Sequence, residues 1–302
     1  MPAGTLSRFL QTPLNAAVFS WYPPQVTRCY TRLLGRRYFR VRPDEAERHL
    51  RQLREVFSHG HRAGACTPAL EQQVLQGVFD HYFEKLLLAY WGFARMRRYL
   101  LRRVRLVHAD LLDDALHGGR GVLVATAHFG AVEFLPASLA LRGYPVTAVA
   151  RFRTAKLKET LVRRASQVGV ELLDLDDGAI VPKMLTTLKA GRIFVTELDE
   201  LSNWRPSAAK IMNFFGRRAA LDRALEVLQR RSGSPLLLGL MERLPGRRYQ
   251  LVLESPVEHH AAPTGLGDDA LLLKRLEHHV YEAPDHWYNW KELQRIEQPA
   301  AA

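Results

Sequence analysis

A histidine and a glutamate stand five positions apart, directly after an apolar run. Gly121 to Ala127 forms this run, His128 follows it, and Gly130 precedes Glu133. Side chains five positions apart in one helix point about 140° away from each other. We therefore expect His128 on a loop, with Gly130 permitting a tight turn. Glu133 can then reach back to one imidazole nitrogen.

Such a pair has the chemistry of a general base. A carboxylate on one imidazole nitrogen fixes the tautomer and raises the basicity of the ring, and the other nitrogen takes a proton from a hydroxyl group. The ends of strands are also the usual ligand sites of open α/β sheets. The alternative for His128 is a loop histidine whose hydrogen bonds serve only the fold.

The elements around His128 alternate between short apolar runs and helical stretches, which is typical of an α/β fold. The predicted strands span residues 121–127, 146–150, 170–174, 193–197, 235–241 and 249–254, and the predicted helices between them span residues 132–142, 156–167, 179–190 and 219–231. We expect a mixed, mostly parallel central sheet flanked by helices, with the last two strands as candidates for an antiparallel pair. Residues 1–91 form a helical, membrane-facing N-terminal portion, and residues 92–302 form one continuous α/β core.

The N-terminal portion contains two clear helix signals and two candidate membrane contacts. Helices are predicted over Pro43 to His59 and from Pro68, which follows a capping threonine. Phe93 to His117 combines an apolar series with six arginines and predicts one basic amphipathic helix. Such a helix lies in an anionic membrane interface or packs on protein with its basic face in water. Leu14 to Tyr22 is apolar but too short to span a bilayer.

The net charge of the chain narrows the kinds of molecule that it is expected to bind. The chain has 43 Lys and Arg against 31 Asp and Glu, a net charge of +12, which attracts phospholipid, nucleic acid, phosphorylated cofactors or an acidic carrier protein. The basic residues are spread along the chain without a nucleic-acid-binding motif, so nucleic-acid binding is the weaker alternative. The chain contains only two cysteines, which argues against a disulfide framework or a zinc finger.

A metallohydrolase site is a further alternative, although its residues lack a recognised ligand spacing. The residues that would form it are Glu277, His278, His279, Glu282, His259 and His260.

Four ordered blocks resemble the bacterial lipid A biosynthesis acyltransferases, within the glycerol-phosphate acyltransferase superfamily that carries His-x4-Asp or Glu. The blocks are residues 128–133 (HFGAVE), 197–200 (ELDE), 213–216 (NFFG) and 284–291 (PDHWYNWK). Phe129, Ala131 and Val132 depart from the family pattern, and Glu200 stands where the family has glutamine. These departures concern the acceptor more than the reaction.

The resemblance implies an acyltransferase that needs no cofactor and no metal. It would move a fatty acyl group from an acyl carrier protein or coenzyme A thioester to a hydroxyl of a lipid or glycolipid, with His128 and Glu133 as the catalytic dyad. The enzyme would work at an anionic membrane surface, as a peripheral protein on the cytoplasmic side of the inner membrane. A non-lipid alcohol or amine acceptor is the alternative inside the same superfamily.

Further residues of the site follow from the resemblance. Those assigned to substrate binding are Phe129, Gly130, Arg151, Arg153, Lys156, Asp199, Phe215 and Gly216. Arg151, Arg153 and Lys156 are candidates for binding phosphate, or else a solvated run of charge. Asp199 supports the site or caps a helix. The oxyanion donors would be backbone amides after Gly130, or Arg151.

Overall fold

The computed structural model describes residues 12–58, 64–152, 155–201, 204, 206–256 and 267–296. Its helices are α1 (Pro13–Trp21), α2 (Pro24–Val41), α3 (Pro43–Ser58), α4 (Pro68–Tyr90), α5 (Phe93–Arg103), α6 (Ala109–His117), α7 (Leu135–Ala140), α8 (Ala155–Gln167), α9 (Ile180–Lys189), α10 (Ala224–Ser232) and α11 (Asp268–Glu282). Its strands are β1 (Val104–Val107), β2 (Val122–Thr126), β3 (Val146–Ala150), β4 (Val170–Asp174), β5 (Ile193–Glu197), β6 (Pro206–Phe214), β7 (Arg217–Asp222), β8 (Leu236–Leu244) and β9 (Arg248–Glu254). Short 3-10 helices cover Val132–Phe134 and Trp290–Arg295.

Seven strands form one sheet in the order β1-β9-β8-β2-β5-β3-β4. All neighbours run parallel except β8 and β9, which form an antiparallel pair. The predicted mixed, mostly parallel sheet flanked by helices is therefore confirmed. Strand β2 lies in the middle of the sheet and is buried along its whole length, as expected for a continuous apolar run covered on both faces. His128 follows the carboxyl end of this central strand.

The N-terminal helices share the hydrophobic interior with the sheet. Phe57 of α3 belongs to the cluster of buried residues that contains Trp290. Phe79 of α4 belongs to a second cluster, which contains Val124 of β2. Each such side chain stabilises the fold by about 1.5–3 kcal/mol when it leaves water, so the helices of residues 12–90 are fastened to the core by apolar contact.

The single basic helix predicted over residues 93–117 is wrong. Helix α5 ends at Arg103, β1 follows, and His108 has a left-handed backbone (φ 57°) before α6 begins. Two of the apolar residues that fit the helical period, Val104 and Val107, are β-branched, and Val104 pairs with Tyr249 in a parallel ladder. Pairing with β9 thus overrides the local helical pattern.

The helix predicted from residue 219 begins later than expected. Residues 217–222 form β7, which pairs with β6 in a separate two-stranded sheet. Phe215 and Gly216 both have positive φ, 52° and 76°, as the two central residues of a type I′ hairpin turn require. Asp222 then accepts a hydrogen bond from the Ala224 amide (2.7 Å), and α10 starts.

Arg95 of helix α5 binds the carboxyl-terminal end of α1. The Arg95 guanidinium donates to the carbonyl oxygens of Ser20 (3.1 Å) and Tyr22 (2.8 Å), and it lies over the Trp91 ring. Within the described ranges, every helix is too short or too polar to traverse a bilayer.

Candidate active site

The turn after β2 is held between strand β8 and the C-terminal segment. The Gly130 amide donates to the His286 carbonyl (2.8 Å), and the Ala131 amide donates to the Met241 carbonyl (2.9 Å). Gly130 has φ 58°, and a Cβ at this position would overlap the Met241 oxygen. Only glycine fits both the conformation and the close approach. The loop position expected for His128 results from this turn.

Asp199 fixes one side of the His128 imidazole. His128 Nδ1 lies 2.9 Å from Asp199 Oδ1, and the His128 amide donates to both carboxylate oxygens at 3.0 Å. Trp287 Nε1 donates to Asp199 Oδ2 (2.7 Å), and Asn289 Nδ2 donates to the Asp199 carbonyl (2.8 Å). Because a carboxylate only accepts hydrogen bonds, Nδ1 carries the proton. Nε2 is then the nitrogen that exchanges protons.

The expected contact between His128 and Glu133 is not formed. Glu133 Oε1 instead lies 2.9 Å from Lys85 Nζ and 3.9 Å from His81 Nε2, both on α4. Across the described residues, the carboxylates within 4.0 Å of the His128 ring belong to Glu197, Asp199 and Glu200. The reason is that residues after Gly130 form a 3-10 turn, which presents Glu133 to α4 rather than back toward the imidazole.

Two glutamates at the end of β5 face the other imidazole nitrogen. His128 Nε2 lies 3.6 Å from Glu197 Oε2 and 3.2 Å from Glu200 Oε1. Burial lowers the pKa of His128, but the negative charges of Asp199 and Glu197 and the hydrogen bonds that the ring donates to Asp199 and Glu200 outweigh it, so that the pKa rises well above its ordinary value. The surroundings therefore favour the imidazolium form of His128, and the ring acts as a base only in the form that has lost the Nε2 proton.

Glu197 and Glu200 differ in their affinity for protons. Burial, chiefly, raises the pKa of Glu197 to about 7. The hydrogen bond with His128, chiefly, lowers the pKa of Glu200. The three residues each offer one ligand atom within 4.8 Å of the others, a set that suits a divalent cation. A cation on Nε2 would block proton transfer there, so metal binding and base catalysis exclude each other at this nitrogen.

Helix α4 forms a wall of the site. His81 stacks on Tyr288 (3.7 Å between ring centroids, 21° between planes), and Tyr288 meets the His128 ring edge-on (4.9 Å, 81°). Burial, with nearby positive charges, lowers the pKa of His81 well below its ordinary value, so this ring is neutral. Sequence reasoning missed the wall. Its signal is the set of polar residues His81, Glu84 and Lys85, which are three and four positions apart and so share one side of the helix.

A buried ion pair holds the carbonyl of the turn. Glu84 of α4 accepts two hydrogen bonds from Arg243 of β8, each 2.9 Å long. Arg243 Nη2 also donates to the Gly130 carbonyl oxygen (2.7 Å). Helix, strand and turn are thus joined by one guanidinium, which we call the Glu84–Arg243–Gly130 strap.

A family model described as bacterial lipid A biosynthesis acyltransferase matches residues 15–292. The chain belongs to this family. It is therefore an acyltransferase, and its family's acceptor is a lipid. The match includes the N-terminal helices, so α4 and its wall of the site lie inside the family region. None of the curated proteins matches the chain.

Several predicted substrate-binding residues of this acyltransferase lie in its interior. Phe129 is buried and bridges to Trp287 through its backbone. Phe215 is buried and stacks on Trp287 (5.2 Å, 29°), whereas Gly216 occupies the exposed hairpin turn. Phe129 and Phe215 thus support the tryptophan that holds Asp199. Phe129 is only 1% exposed, and its assignment to substrate binding stays a prediction.

The predicted basic cluster is only partly described. Arg151 lies after β3, half exposed, with Nε 3.2 Å from Asp176 Oδ1. Its charge contributes to the lowered pKa of Glu200, after the hydrogen bond from His128. Arg153 and the side chain of Lys156 lie outside the described residues, and their assignment to phosphate remains a prediction.

The C-terminal histidines do not assemble a metal site within the described part of the chain. His279 lies between Glu242 (3.4 Å) and Glu254 (2.7 Å), whereas Glu277 accepts from the Phe215 amide (2.8 Å). The one set with ligand geometry among the described residues is the set around His128. His259 and His260 fall outside the described ranges.

Proposed function

We propose that this acyltransferase moves a fatty acyl group from an acyl carrier protein or coenzyme A thioester to a hydroxyl of a lipid or glycolipid. His128 acts as the general base, and Asp199 orients it. The observation that carries the proposal is the His128 ring, with Nδ1 bound to a fully buried carboxylate and Nε2 directed to partly exposed groups.

The reaction needs no covalent enzyme intermediate. His128 Nε2 accepts the proton of the acceptor hydroxyl while the oxygen attacks the thioester carbon. The tetrahedral intermediate collapses, the carbon–sulfur bond breaks, and the thiolate takes the proton from the imidazolium. Such proton transfer contributes about 10²- to 10⁴-fold to the rate. Asp199 keeps the proton on Nδ1 and stabilises the imidazolium, as in a catalytic triad.

A second acceptor class is favoured by the charge at Nε2. Glu197 and Glu200 both face the nitrogen that meets the acceptor, and Glu200 replaces an uncharged glutamine of the family pattern. Two carboxylates attract a cation and repel phosphate. An acceptor that carries an amino group, within or outside the lipids, is therefore the alternative.

We also propose that the enzyme works as a peripheral protein on an anionic membrane, on the cytoplasmic side of the inner membrane. Exposed apolar side chains of α1 support this contact, and Trp21 lies at its carboxyl-terminal end. Trp21 is 83% exposed and Leu14 is 68% exposed. Arg95 ties this end to the basic helix α5, so apolar and positively charged side chains lie together, as membrane-interface segments require.

Mass spectrometry of lipids and acyl products tests the reaction. The wild type is expressed beside His128→Gln, which cannot take a proton, and His279→Gln, a histidine also held between carboxylates. We expect His128→Gln to lower acyl product formation by about 10²- to 10⁴-fold and His279→Gln to leave it near wild type. Identical acyl products from the wild type and His128→Gln would overturn the role of His128.

A further inference from the structure

The ion pair between Lys85 and Glu133 lies beside the His128 turn. Lys85 Nζ is 2.9 Å from Glu133 Oε1, and His81, one helical turn earlier, brings Nε2 to 3.9 Å from the same oxygen. Glu133 is in the 3-10 turn that follows Gly130. The ammonium is therefore held by an element that is continuous with the loop of the catalytic histidine.

The Lys85–Glu133 ion pair and His128 share aromatic and charged neighbours. His81 stacks on Tyr288, and Tyr288 contacts the His128 ring. The charge of Glu133, chiefly, and that of Glu197 raise the pKa of Lys85. Glu197 also lies 3.6 Å from His128 Nε2. Glu197 thus acts on both the Lys85 ammonium and the His128 ring, and Lys85 stays charged at neutral pH.

The ammonium is open to a ligand. The Lys85 side chain is 49% exposed, against 14% for His128. An ammonium has three N–H donors, and Glu133 takes one of them.

The backbone donors nearest to His128 are already used. The His128 amide donates to Asp199, and the amides of Gly130 and Ala131 donate to the carbonyls of His286 and Met241. Of the backbone amides predicted as oxyanion donors after Gly130, that of Ala131 therefore binds the protein itself. Arg151, the other predicted donor, pairs with Asp176. The Lys85 ammonium of α4 can supply the hydrogen bonds to an oxyanion that these groups do not supply.

We propose that Lys85 is a further catalytic residue, which binds the oxyanion of the tetrahedral intermediate, and that Glu133 is its positioning residue. This inference rests on the proposed acyl transfer. When the acceptor oxygen bonds to the thioester carbon, the carbonyl π electrons move to the oxygen and the hydroxyl proton moves to His128. Lys85 donates hydrogen bonds to that negative oxygen and keeps its proton. On collapse the C=O bond re-forms, the C–S bond breaks, and the thiolate takes the proton from His128.

The test compares steady-state kinetics of the full chain carrying Lys85→Met, Lys85→Gln or Lys85→Arg. Lauroyl-acyl carrier protein and lauroyl-coenzyme A serve as donors, with a Gram-negative lipid extract as acceptor. Removing one oxyanion donor typically lowers kcat by about 10²- to 10³-fold, and we expect this loss in the Met and Gln variants with KM nearly unchanged. Lys85→Arg should recover part of kcat, because it keeps the charge. Lys183→Met, half exposed and paired with Asp177, is the matched control.

Glu133→Gln tests the positioning role by pH. Without the carboxylate the pKa of Lys85 falls, so activity should be lost at a lower alkaline pH than in the wild type, which loss of packing alone would not cause. Wild-type kcat in both Lys85→Met and Lys85→Gln, or a loss confined to KM, would overturn the proposal and favour the amides of Val132 and Glu133 as donors. Activity that survives in His128→Gln would instead contradict the proposed function itself.

Discussion

Asp199 joins three distant parts of the chain at one carboxylate. It accepts from His128 after β2 and from Trp287 near the C-terminus, and its own carbonyl accepts from Asn289. Each of these bonds removes an alternative orientation of the carboxylate. The orientation of the His128 ring therefore depends on packing that surrounds it, including the stack of Phe215 on Trp287.

Asp199→Asn tests this role. The amide presents an N–H group where a carboxylate oxygen now accepts, so His128 Nδ1 is held as an acceptor and the proton moves to Nε2. We expect kcat to fall by about 10³- to 10⁴-fold. Stopped-time product assays on purified protein measure it, with the exposed Asp113→Asn as control and a thermal melt to check folding. A loss smaller than about tenfold would contradict the triad-like role.

Glu200→Gln tests the charge at Nε2. Glu200 stabilises the imidazolium form of His128, and the neutral form is the base, so activity rises as pH passes upward through the pKa of His128. Glutamine removes the negative charge and lowers that pKa. The acidic limb of the kcat/KM profile should then move to lower pH, whereas Glu171→Gln on the exposed edge should leave it in place. A shift to higher pH would contradict the assignment.

Sequence reasoning placed both His128 and Asp199 in the site but did not pair them. His128 follows a strand and precedes a glycine, and both signals are local. Asp199 is 71 positions away, and only the parallel pairing of β2 with β5 brings it near. Glu197 was missed for the same reason, although Thr126 and Glu197 are register partners at the ends of those strands. Sequence spacing alone indicated Glu133 as the partner of His128. Spacing does not show in which direction the turn after Gly130 points the glutamate side chain.

At the scale of elements, the Glu84–Arg243–Gly130 strap ties α4, β8 and the catalytic turn together. Glu84 is fully buried and the Arg243 side chain is 9% exposed. Breaking one partner of a buried pair leaves an uncompensated charge, at a cost of about 3–5 kcal/mol. A loss of activity in a single variant would thus not separate folding from positioning.

The double variant Glu84→Met/Arg243→Met makes that separation. Apolar replacement of both partners is often neutral for stability, yet the Gly130 carbonyl loses its donor. We expect a free energy of unfolding within about 1–2 kcal/mol of the wild type by urea denaturation, and a lower kcat. The exposed pair Glu45→Gln/Arg48→Gln should change neither quantity. Wild-type kcat in the double Met variant would show that the strap serves stability alone.

The elements that sequence predicted best are three short strands. β3, β4 and β5 have the predicted bounds, because each is a short, largely apolar run with helical stretches or turns on either side. The prediction for Phe93 to His117 was wrong. The apolar residues of this region fit one long helix, but they fit equally well the observed order of a helix, a strand and a second helix. Residues 104–107 form a strand because they pair with β9, which is far away in sequence.

At the scale of the whole molecule, net charge and exposed apolar side chains act together. The chain carries a formal charge of +12, which favours anionic surfaces of any kind. Charge alone does not distinguish a membrane from nucleic acid. The proposed membrane contact therefore rests on the exposed aromatic end of α1, where Trp21 and Tyr22 suit the headgroup region of a bilayer.

Trp21→Ser tests the membrane contact. Burial of a large apolar side chain contributes about 1.5–3 kcal/mol, so losing part of that contact should weaken binding to phosphatidylglycerol vesicles by roughly tenfold. Sedimentation of the purified protein with vesicles measures the binding, and Val181→Ser on α9 is the control. Added salt should weaken binding further, because the arginines of α5 interact with lipid phosphates through screened charge. Binding that is unaffected by both Trp21→Ser and salt would mean that the enzyme meets its lipid through another surface.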